Sequence, residues 1–270
     1  MPGLIGLITD FGDSVYDGIV ESIIKSIDPS VSVVRIDNKV PKFSILAGSY
    51  ITYSSYRWLP QGSVIMVVVD PGVGTRRRAV VVRTNNYYFV APDNGVIYEA
   101  AAEDGIREMY AIDYSRVRSL AGIRAFSYAP LSYTFHGRDV FAPAAALIAK
   151  GVDPVKFASP ADIRSLTSLR LRYAARLNGL TRTRVVYIDG FGNVALGLTQ
   201  RDYRLPRGRV TVTVRGAQYA FNVGRTFGDV KPGDAVIYIN SFGFMELAIN
   251  QGNASQQLKV SIGDEVTLSP

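Results

Sequence analysis

The chain has 270 residues, of which 47% are hydrophobic, and this is enough for one large domain or two of ordinary size. It has no cysteine and one histidine, which excludes disulfides, thiolate metal sites and a thiol nucleophile, and we expect no metal site. The net charge is +7 and the sequence pI is about 9.5, but the arginines are scattered and no nucleic-acid-binding motif is present, so we expect no nucleic-acid partner.

No apolar run reaches the ~18 residues that a bilayer span requires, so we expect no membrane partner. The first ten residues contain no basic leader and reach an aspartate early. They lack the pattern of a secretory signal, and we therefore expect a cytoplasmic protein.

The first half of the chain alternates predicted strands and helices. The apolar run of residues 4–8 is typical of a buried parallel strand and ends in Thr9-Asp10-Phe11-Gly12. Five aliphatic residues between 19 and 27 follow at helical spacing, and Asp28-Pro29 ends that helix. The other elements predicted here are a strand at 31–36, a helix at 44–58, a strand at 63–69, two strands at 79–82 and 87–90 joined by a turn, and a helix at 140–150.

The second half has a different pattern. Residues 158–168 are small and polar, which predicts a linker. Short alternating segments separated by glycine-containing turns follow, and they predict an antiparallel barrel or sandwich with strands at 184–188, 210–214, 235–239, 246–249 and 266–268. We therefore expect an α/β domain over residues 1–168, with a mostly parallel sheet flanked by helices, and a smaller all-β, barrel-like domain over 169–270.

Two aspartates follow predicted strands of the first domain. Ligands of open α/β sheets bind beyond the carboxyl ends of the strands, where Asp10 and Asp70 are expected. Asp10 suits the two hydroxyls of a ribose, or it caps the next segment. The phrase Asp70-Pro71-Gly72-Val73-Gly74 has neither the spacing of a dinucleotide-binding loop nor that of a P-loop. It predicts instead a rigid turn that folds Arg77 back towards Asp70.

The one histidine, His136, lies at a predicted loop-to-helix junction. It has two interpretations: a buried imidazole that satisfies local hydrogen bonds, or a group for proton chemistry near neutral pH. Together with Asp70 and Arg77 it would form a water-activating cluster. Arg77 stays protonated, so either Asp70 or His136 would accept the proton, and the sequence does not decide between them.

Six phrases, in this order, resemble the S-adenosyl-L-methionine (SAM) hydroxide adenosyltransferase family, relatives of the fluorinase and chlorinase. The resemblance covers nearly the whole chain, and the second and fourth phrases are specific when they occur together. The phrases are Thr9-Asp10-Phe11-Gly12, Val69-Asp70-Pro71-Gly72-Val73-Gly74-Thr75, Ala91-Pro92-Asp93-Asn94-Gly95, Thr134-Phe135-His136-Gly137-Arg138-Asp139, Ile188-Asp189-Gly190-Phe191-Gly192-Asn193-Val194 and Glu246-Leu247-Ala248-Ile249-Asn250-Gln251-Gly252.

The resemblance implies attack of water or hydroxide on C5′ of SAM, giving adenosine and L-methionine, with no cofactor. It also implies a homotrimer whose ligand lies between the N-terminal domain of one subunit and the C-terminal domain of a neighbour. The implied catalytic residues are Asp70, Arg77 and His136. The implied substrate-binding residues are Asp10 at the ribose, Phe43 as an aromatic near the ligand, and Phe135 in the lining of the adenosine pocket. In the C-terminal domain they are Asp189, Asn193 and Ser241 at the methionine or beside the adenine, and Asn253 and Ala254 at the adenine edge.

The chain departs from the family pattern in two places, a shorter first loop at 13–18 and Asp37-Asn38 in place of a Thr-His pair. Three other functions compete with hydrolysis. A halogenase would place its halide where Asp70 repels it. A non-catalytic sensor of SAM or adenosine has no need of a water-activating set, and nucleic-acid binding has only the pI in its favour.

Overall fold

The structure is a computed structural model that describes residues 3–269. The chain divides into two compact units, Met1–Leu169 and Arg170–Pro270. Within the described residues no helix combines the length and the apolar character that crossing a membrane requires.

The first unit is a mixed sheet with helices. Its strands are β1 (Leu4–Thr9), β2 (Ser32–Asp37), β3 (Val64–Val68), β4 (Ala79–Thr84), β5 (Tyr88–Pro92), β6 (Ile106–Ile112) and β7 (Ala158–Pro160). Its α-helices are α1 (Val15–Ile27), α2 (Ile45–Ser55), α3 (Tyr98–Asp104), α4 (Tyr114–Ala121) and α5 (Ala142–Ala149). The strand order is β2-β1-β3-β5-β4-β6-β7.

The predicted α/β class is confirmed, and the sheet is mixed rather than mostly parallel. β2, β1, β3 and β5 run parallel, whereas β4, β6 and β7 join by antiparallel pairing. The change of direction follows from the turn after β4, where Thr84 N–H donates to the Tyr87 carbonyl. So short a connection can only join antiparallel strands.

Apolar pattern and caps explain the elements that hold the site. β3 is buried along its whole length, as its unbroken aliphatic sequence predicts. Helix α1 begins after Ser14, whose side chain accepts the N–H of Tyr16, and it packs Val20 and Ile24 into the core. The Ala-rich α5 packs against α1 and β3, and its small side chains let these elements approach closely.

Two stretches differ from prediction. The linker predicted at 158–168 is wrong, because β7 pairs with β6 there and Leu166 is buried in the first unit. An edge strand needs few apolar side chains, so composition did not reveal it. No elements were predicted between 91 and 139, where α3, β6 and α4 lie; the two helices have only seven and eight residues, too short for a clear helical period.

The second unit is a closed barrel, as predicted. Its strands are β8 (Ala175–Leu177), β9 (Leu180–Ile188), β10 (Val194–Thr199), β11 (Arg209–Val214), β12 (Ala217–Val223), β13 (Ala235–Ile239), β14 (Phe244–Ile249) and β15 (Glu265–Ser269). A short helix, α6 (Ala254–Leu258), lies between β14 and β15. Seven strands, β9 to β15, close the sheet because β9 pairs with both β10 and β15. The pairing is antiparallel except between β12 and β13.

Candidate active site

Asp10 and Asp70 follow neighbouring strands of the first unit. β1 and β3 pair in parallel, with Thr9 opposite Val68, so both carboxylates lie at the same edge of the sheet. Burial raises the pKa of Asp10, and the charge of Asp70 adds to that rise. The backbone N–H of Phe43 donates to Asp10 at 2.9 Å, and this hydrogen bond acts to lower the pKa of Asp10. This edge is where a ligand of an open α/β sheet is expected.

The turn after Asp70 returns the chain towards β3. The N–H of Val73 donates to the Asp70 carbonyl at 3.2 Å. The N–H and the hydroxyl of Thr75 both donate to the Gly72 carbonyl, at 3.1 and 2.7 Å. These bonds hold the loop so that Arg77 meets the side chain of Asp70, which is the geometry that the glycine-rich phrase predicts.

Arg77 is the centre of a buried cluster. Its Nε donates to Asp70 Oδ1 at 3.0 Å and its Nη2 donates to Asp70 Oδ2, a bidentate pair. Nη2 also lies 2.8 Å from Nδ1 of His136, and Nη1 donates to the hydroxyl of Tyr114 at 3.1 Å. The ring of Phe141 lies 5.3 Å from the guanidinium carbon. The structure thus brings together the three residues predicted to be catalytic.

The contact with Arg77 determines the tautomer of His136. A guanidinium has only donors, so Nδ1 of the imidazole must accept and therefore carries no proton. The neutral ring then carries its proton on Nε2 and can donate from that atom. Burial lowers the pKa of His136, and the charge of Arg77 lowers it further, so the ring is neutral at neutral pH.

A π-helical turn places His136. The turn spans Gly137–Phe141 and leads directly into α5, with the N–H of Ala142 bonded to the Gly137 carbonyl. Helix α5 is therefore shorter than the predicted 140–150. Single π-helical turns occur frequently at functional sites, where they reorient side chains. Here the turn sets the imidazole at 3% exposure against Arg77.

Asp139, which is fully buried, holds the segment before this turn. Its carboxylate pairs with Arg138 at 2.6 Å and with Arg118 at 3.0 Å, and it accepts the N–H of Ser132 at 2.7 Å. Arg118 also donates to the carbonyl of Ala129 at 2.5 Å. The charge of Asp139 is thus offset by two arginines, which a buried carboxylate needs.

The predicted aromatic residues lie at the same end of the first unit. Phe135 packs edge-on against Tyr16 and Phe11, with ring centroids 4.9 and 6.0 Å away. Phe43 is 71% exposed, and its φ of 65° is a left-handed conformation that costs energy for a residue with a side chain. Such strain concentrates at functional positions, and here it directs the Phe43 N–H to Asp10.

The second unit has a cavity of about 630 Å³, within the size range of small-molecule sites. Asp189, Asn193 and Ser241 line it, together with the exposed ring of Phe191. The Asp189 carboxylate also holds its own turn, accepting the N–H groups of Phe191 and Asn193 at 2.9 Å each.

Asn253 and Ala254 are not among the residues that line this cavity. Asn253 caps α6, since its side chain accepts the N–H of Gln256 at 2.8 Å. The side chain of Ala254 is fully buried. The next residue, Ser255, bonds the carbonyl of Gly192, so α6 is tied to the turn that carries Asn193.

Three members of the first-unit site were given no role by the sequence analysis. Tyr114 is one of 16 tyrosines and Phe141 one of 12 phenylalanines. Asp139 belongs to the quoted phrase around His136, but its burial between two arginines is a tertiary feature. The one usable sign was Asp113 followed by Ser115, a capping pattern that marks the start of α4.

Comparisons with known proteins identify relatives over the whole chain. Residues 5–158 match the family model of the SAM hydroxide adenosyltransferase N-terminal domain, and residues 183–267 match that of the C-terminal domain. The (R)-S-adenosyl-L-methionine hydrolase of Thermus thermophilus is 35% identical over 97% of each chain. A fluorinase of an Actinoplanes species is 23% identical over 98% of this chain and 97% of its own. The crystal structure of an uncharacterized conserved protein from Thermotoga maritima superposes with a TM-score of 0.87, at 35% identity over 98% of this chain and 100% of that one.

Proposed function

This chain belongs to the SAM hydroxide adenosyltransferase family, and we propose that it hydrolyses SAM to adenosine and L-methionine. The observation that carries the proposal is the buried cluster of Asp70, Arg77 and His136 at the carboxyl ends of the parallel strands. The hydrolase relative is named for the (R) form, and we propose that form of the sulfonium as the substrate here.

The cluster suits the difficult part of this reaction, which is to supply an oxygen nucleophile. Water attacks C5′, the C5′–S bond breaks, and its electron pair goes to sulfur, so methionine leaves as a neutral thioether without a general acid. The guanidinium of Arg77 stabilises developing hydroxide in a site shielded from solvent. An anion that attacks a cation loses charge in the transition state, which a dry site favours.

We assign the proton of the attacking water to Asp70. Arg77 cannot accept it. His136 receives a hydrogen bond on Nδ1 and carries a proton on Nε2, so it holds the water oxygen as a donor instead. Each oxygen of Asp70 accepts one hydrogen bond from Arg77 and keeps further lone-pair capacity. Asp70 also disfavours a halide at this place, because like charges repel.

For the substrate we propose the contacts that the family resemblance implies. Asp10 binds the ribose hydroxyls, Phe135 lines the adenosine pocket, and Phe43 lies near the ligand. The cavity residues Asp189, Asn193 and Ser241 bind the methionine part or flank the adenine, and Asn253 and Ala254 contact the adenine edge. The 630 Å³ volume of the cavity and its aromatic lining support a bound organic group of this size.

We further propose a homotrimer in which the first unit of one subunit and the second unit of a neighbour complete each site. Exposed aromatic side chains on both units support an interface, among them Phe43, Tyr133 and Phe191, which are 71%, 75% and 80% exposed. No cofactor enters this mechanism.

The proposal is tested by incubating the purified chain with the (R) and (S) forms of SAM in oxygen-18 water. We expect adenosine and methionine from the (R) form, with the label in the 5′-hydroxyl of adenosine. Label in any other position contradicts attack at C5′. Stoichiometric binding without turnover indicates a sensor, and a 5′-halo-adenosine formed with chloride or fluoride indicates a halogenase.

A further inference from the structure

We propose that Tyr114 is a positioning residue of this site, which holds the Arg77 guanidinium and the His136 ring in their working arrangement. The proposal rests on the function proposed above. Tyr114 lies outside the phrases that carry the family resemblance, but it contacts two members of the cluster.

Tyr114 touches both partners by different means. Its hydroxyl accepts a hydrogen bond from Arg77 Nη1 at 3.1 Å. Its ring meets the His136 ring edge to face, with centroids 5.0 Å apart and planes at 70°. Within residues 3–269, Tyr114 provides the hydrogen bond at Nη1, the one guanidinium nitrogen that Asp70 does not reach.

This third contact is needed because the Asp70 pair alone leaves one motion open. Asp70 accepts hydrogen bonds from Nε and Nη2, which form one edge of the planar guanidinium. The plane can still tilt about that edge. A bond at Nη1, on the far side, stops the tilt, and the Phe141 ring beside the guanidinium carbon limits the space for it. The tilt matters because Nη2 also bonds His136.

The position of Tyr114 is itself fixed. It is the first residue of α4, directly after Asp113, whose carboxylate accepts the N–H groups of Ser115 and Arg116 at 3.0 Å each. Several hydrogen bonds hold the pKa of Asp113 well below its usual range, and the bond from the Arg116 N–H contributes most. The N–H of Asp113 bonds the carbonyl of Phe157 at 3.0 Å, so the start of this helix is tied to the chain just before β7.

The first test uses the fact that this chain has one histidine. In untagged, ¹⁵N-labelled protein its imidazole resonances are unambiguous, so both tautomer and pKa can be read by nuclear magnetic resonance. Charged groups that face the ring are Arg77, Asp70 and Asp139. In Tyr114→Phe the guanidinium is released, its charge acts less strongly on the ring, and we expect the pKa of His136 to rise by about 0.5 or more.

The matched control is Tyr110→Phe. It removes a hydroxyl that also bonds a charged side chain, Glu108, but lies outside the cluster. We expect the His136 titration of this variant to equal that of the wild type. If Tyr114→Phe fails to fold, the test is made on the wild-type protein by nuclear magnetic resonance. We expect through-space contacts between the rings of Tyr114 and His136 and a proton on Nε2 of His136. Their absence overturns the proposal.

The second test is kinetic. Tyr114→Phe loses one hydrogen bond to a charged group, and we expect kcat to fall about ten- to a hundredfold with KM within about twofold. In an Arg77→Lys background, which has no Nη1, Tyr114→Phe should lower kcat by less than about twofold. Equal losses in both backgrounds, or an unchanged titration together with an unchanged kcat, overturn the proposal. The titration needs no turnover, so failure to hydrolyse SAM would contradict the proposed function and leave the role of Tyr114 to be decided by the resonances.

Discussion

At the scale of single residues, Arg77 is the residue that joins the members of the cluster. It binds Asp70 along one edge, His136 from one nitrogen and Tyr114 from another. A lysine at this position would supply one charged point and could not reach three partners in one plane. In the proposed mechanism the arginine therefore both stabilises the attacking oxygen and makes His136 a hydrogen-bond donor.

The Asp70–Arg77 pair should be essential for stability as well as activity. The two side chains are 5% and 9% exposed, so Asp70→Asn leaves a buried guanidinium without its counter-charge. We expect the free energy of unfolding to fall by about 3 kcal/mol, measured by urea denaturation. Turnover of SAM should fall at least about a hundredfold.

The control for this variant is Asp162→Asn, which breaks an exposed pair with Arg164. It should cost under about 1 kcal/mol and leave turnover unchanged. Wild-type stability and turnover in Asp70→Asn would contradict the assignment of this pair to the site.

The lowered pKa of His136 predicts how stability depends on pH. The ordinary value is 6.5, and the folded value lies below it. Between these two values the unfolded chain binds a proton that the folded chain does not, so stability falls as the pH drops through this window, by up to about 1.4 kcal/mol per pH unit. Above 6.5 this group contributes no pH dependence.

Comparison of the wild type with His136→Asn isolates the effect. Urea unfolding of both proteins from about pH 8 to about pH 5 gives the difference between their free energies of unfolding. The free energy of unfolding of the wild type, relative to that of the variant, should be constant above pH 6.5 and should fall below pH 6.5. A shift in favour of the wild type on acidification would mean that the histidine is held in its protonated form.

At the scale of elements, two short segments position the side chains of the cluster at the end of the sheet. The turn after β3 returns Arg77 to Asp70, and the π-helical turn before α5 presents His136. At Gly74 the turn after β3 contacts the chain a few residues before the π-helical turn, where an added Cβ would lie 2.4 Å from the carbonyl oxygen of Tyr133. Close approach of these backbones therefore requires glycine at this position.

Gly74→Ala should disturb both segments. Gly74 has a φ of 77°, so alanine is strained there and also collides with the Tyr133 backbone. We expect kcat to fall at least about tenfold, since small displacements of positioned groups are costly in catalysis. Gly62→Ala is the control, because Gly62 has a φ of 86° but no atom within 4 Å of the added Cβ.

Gly62→Ala should lose about 1 kcal/mol of stability from backbone strain, and Gly74→Ala should lose more because its Cβ also collides with the Tyr133 carbonyl. Only Gly74→Ala should lose activity. The measurements are urea denaturation and steady-state turnover of SAM, and equal activity of the two variants would show that the contact between the two segments does not matter.

At the scale of the whole molecule, the proposed catalytic cluster and the proposed binding residues of the cavity lie in different units. The cluster around Arg77 belongs to the first unit, and the cavity with Asn193 belongs to the second. In a symmetric ring, a heterologous interface joins unlike surfaces of neighbouring subunits. The proposed trimer would in this way complete three equivalent sites.

Complementation between inactive subunits tests this arrangement. Asp70→Asn and Asn193→Ala each remove one half of every site. If the halves come from different subunits, re-associating an equal mixture of the two variants should restore about a quarter of wild-type activity, because a site with two intact halves forms with that frequency. Sedimentation should give three times the chain mass of 29.5 kDa. No recovery of activity in a mixed trimer would place each site within one chain.

Much of the fold followed from local patterns along the chain. The apolar run before Asp70 predicted β3, the spacing of aliphatic residues predicted α1, and the glycine-rich phrase predicted the turn that reaches Arg77. Such patterns work because side-chain periodicity and turn chemistry depend on neighbours in sequence. They failed at β7, where an edge strand needs few apolar side chains.

By itself, the sequence determined that proton chemistry near neutral pH falls to one imidazole or to carboxylates, because the chain has one histidine and no cysteine. Only the tertiary structure decided how they act. His136 lies 59 positions from Arg77, and Tyr114 lies 37 from it, so their hydrogen bonds depend on strand order and helix packing. The tautomer of the imidazole follows from one such contact, and a contact between distant segments exists only once the core that joins them has formed.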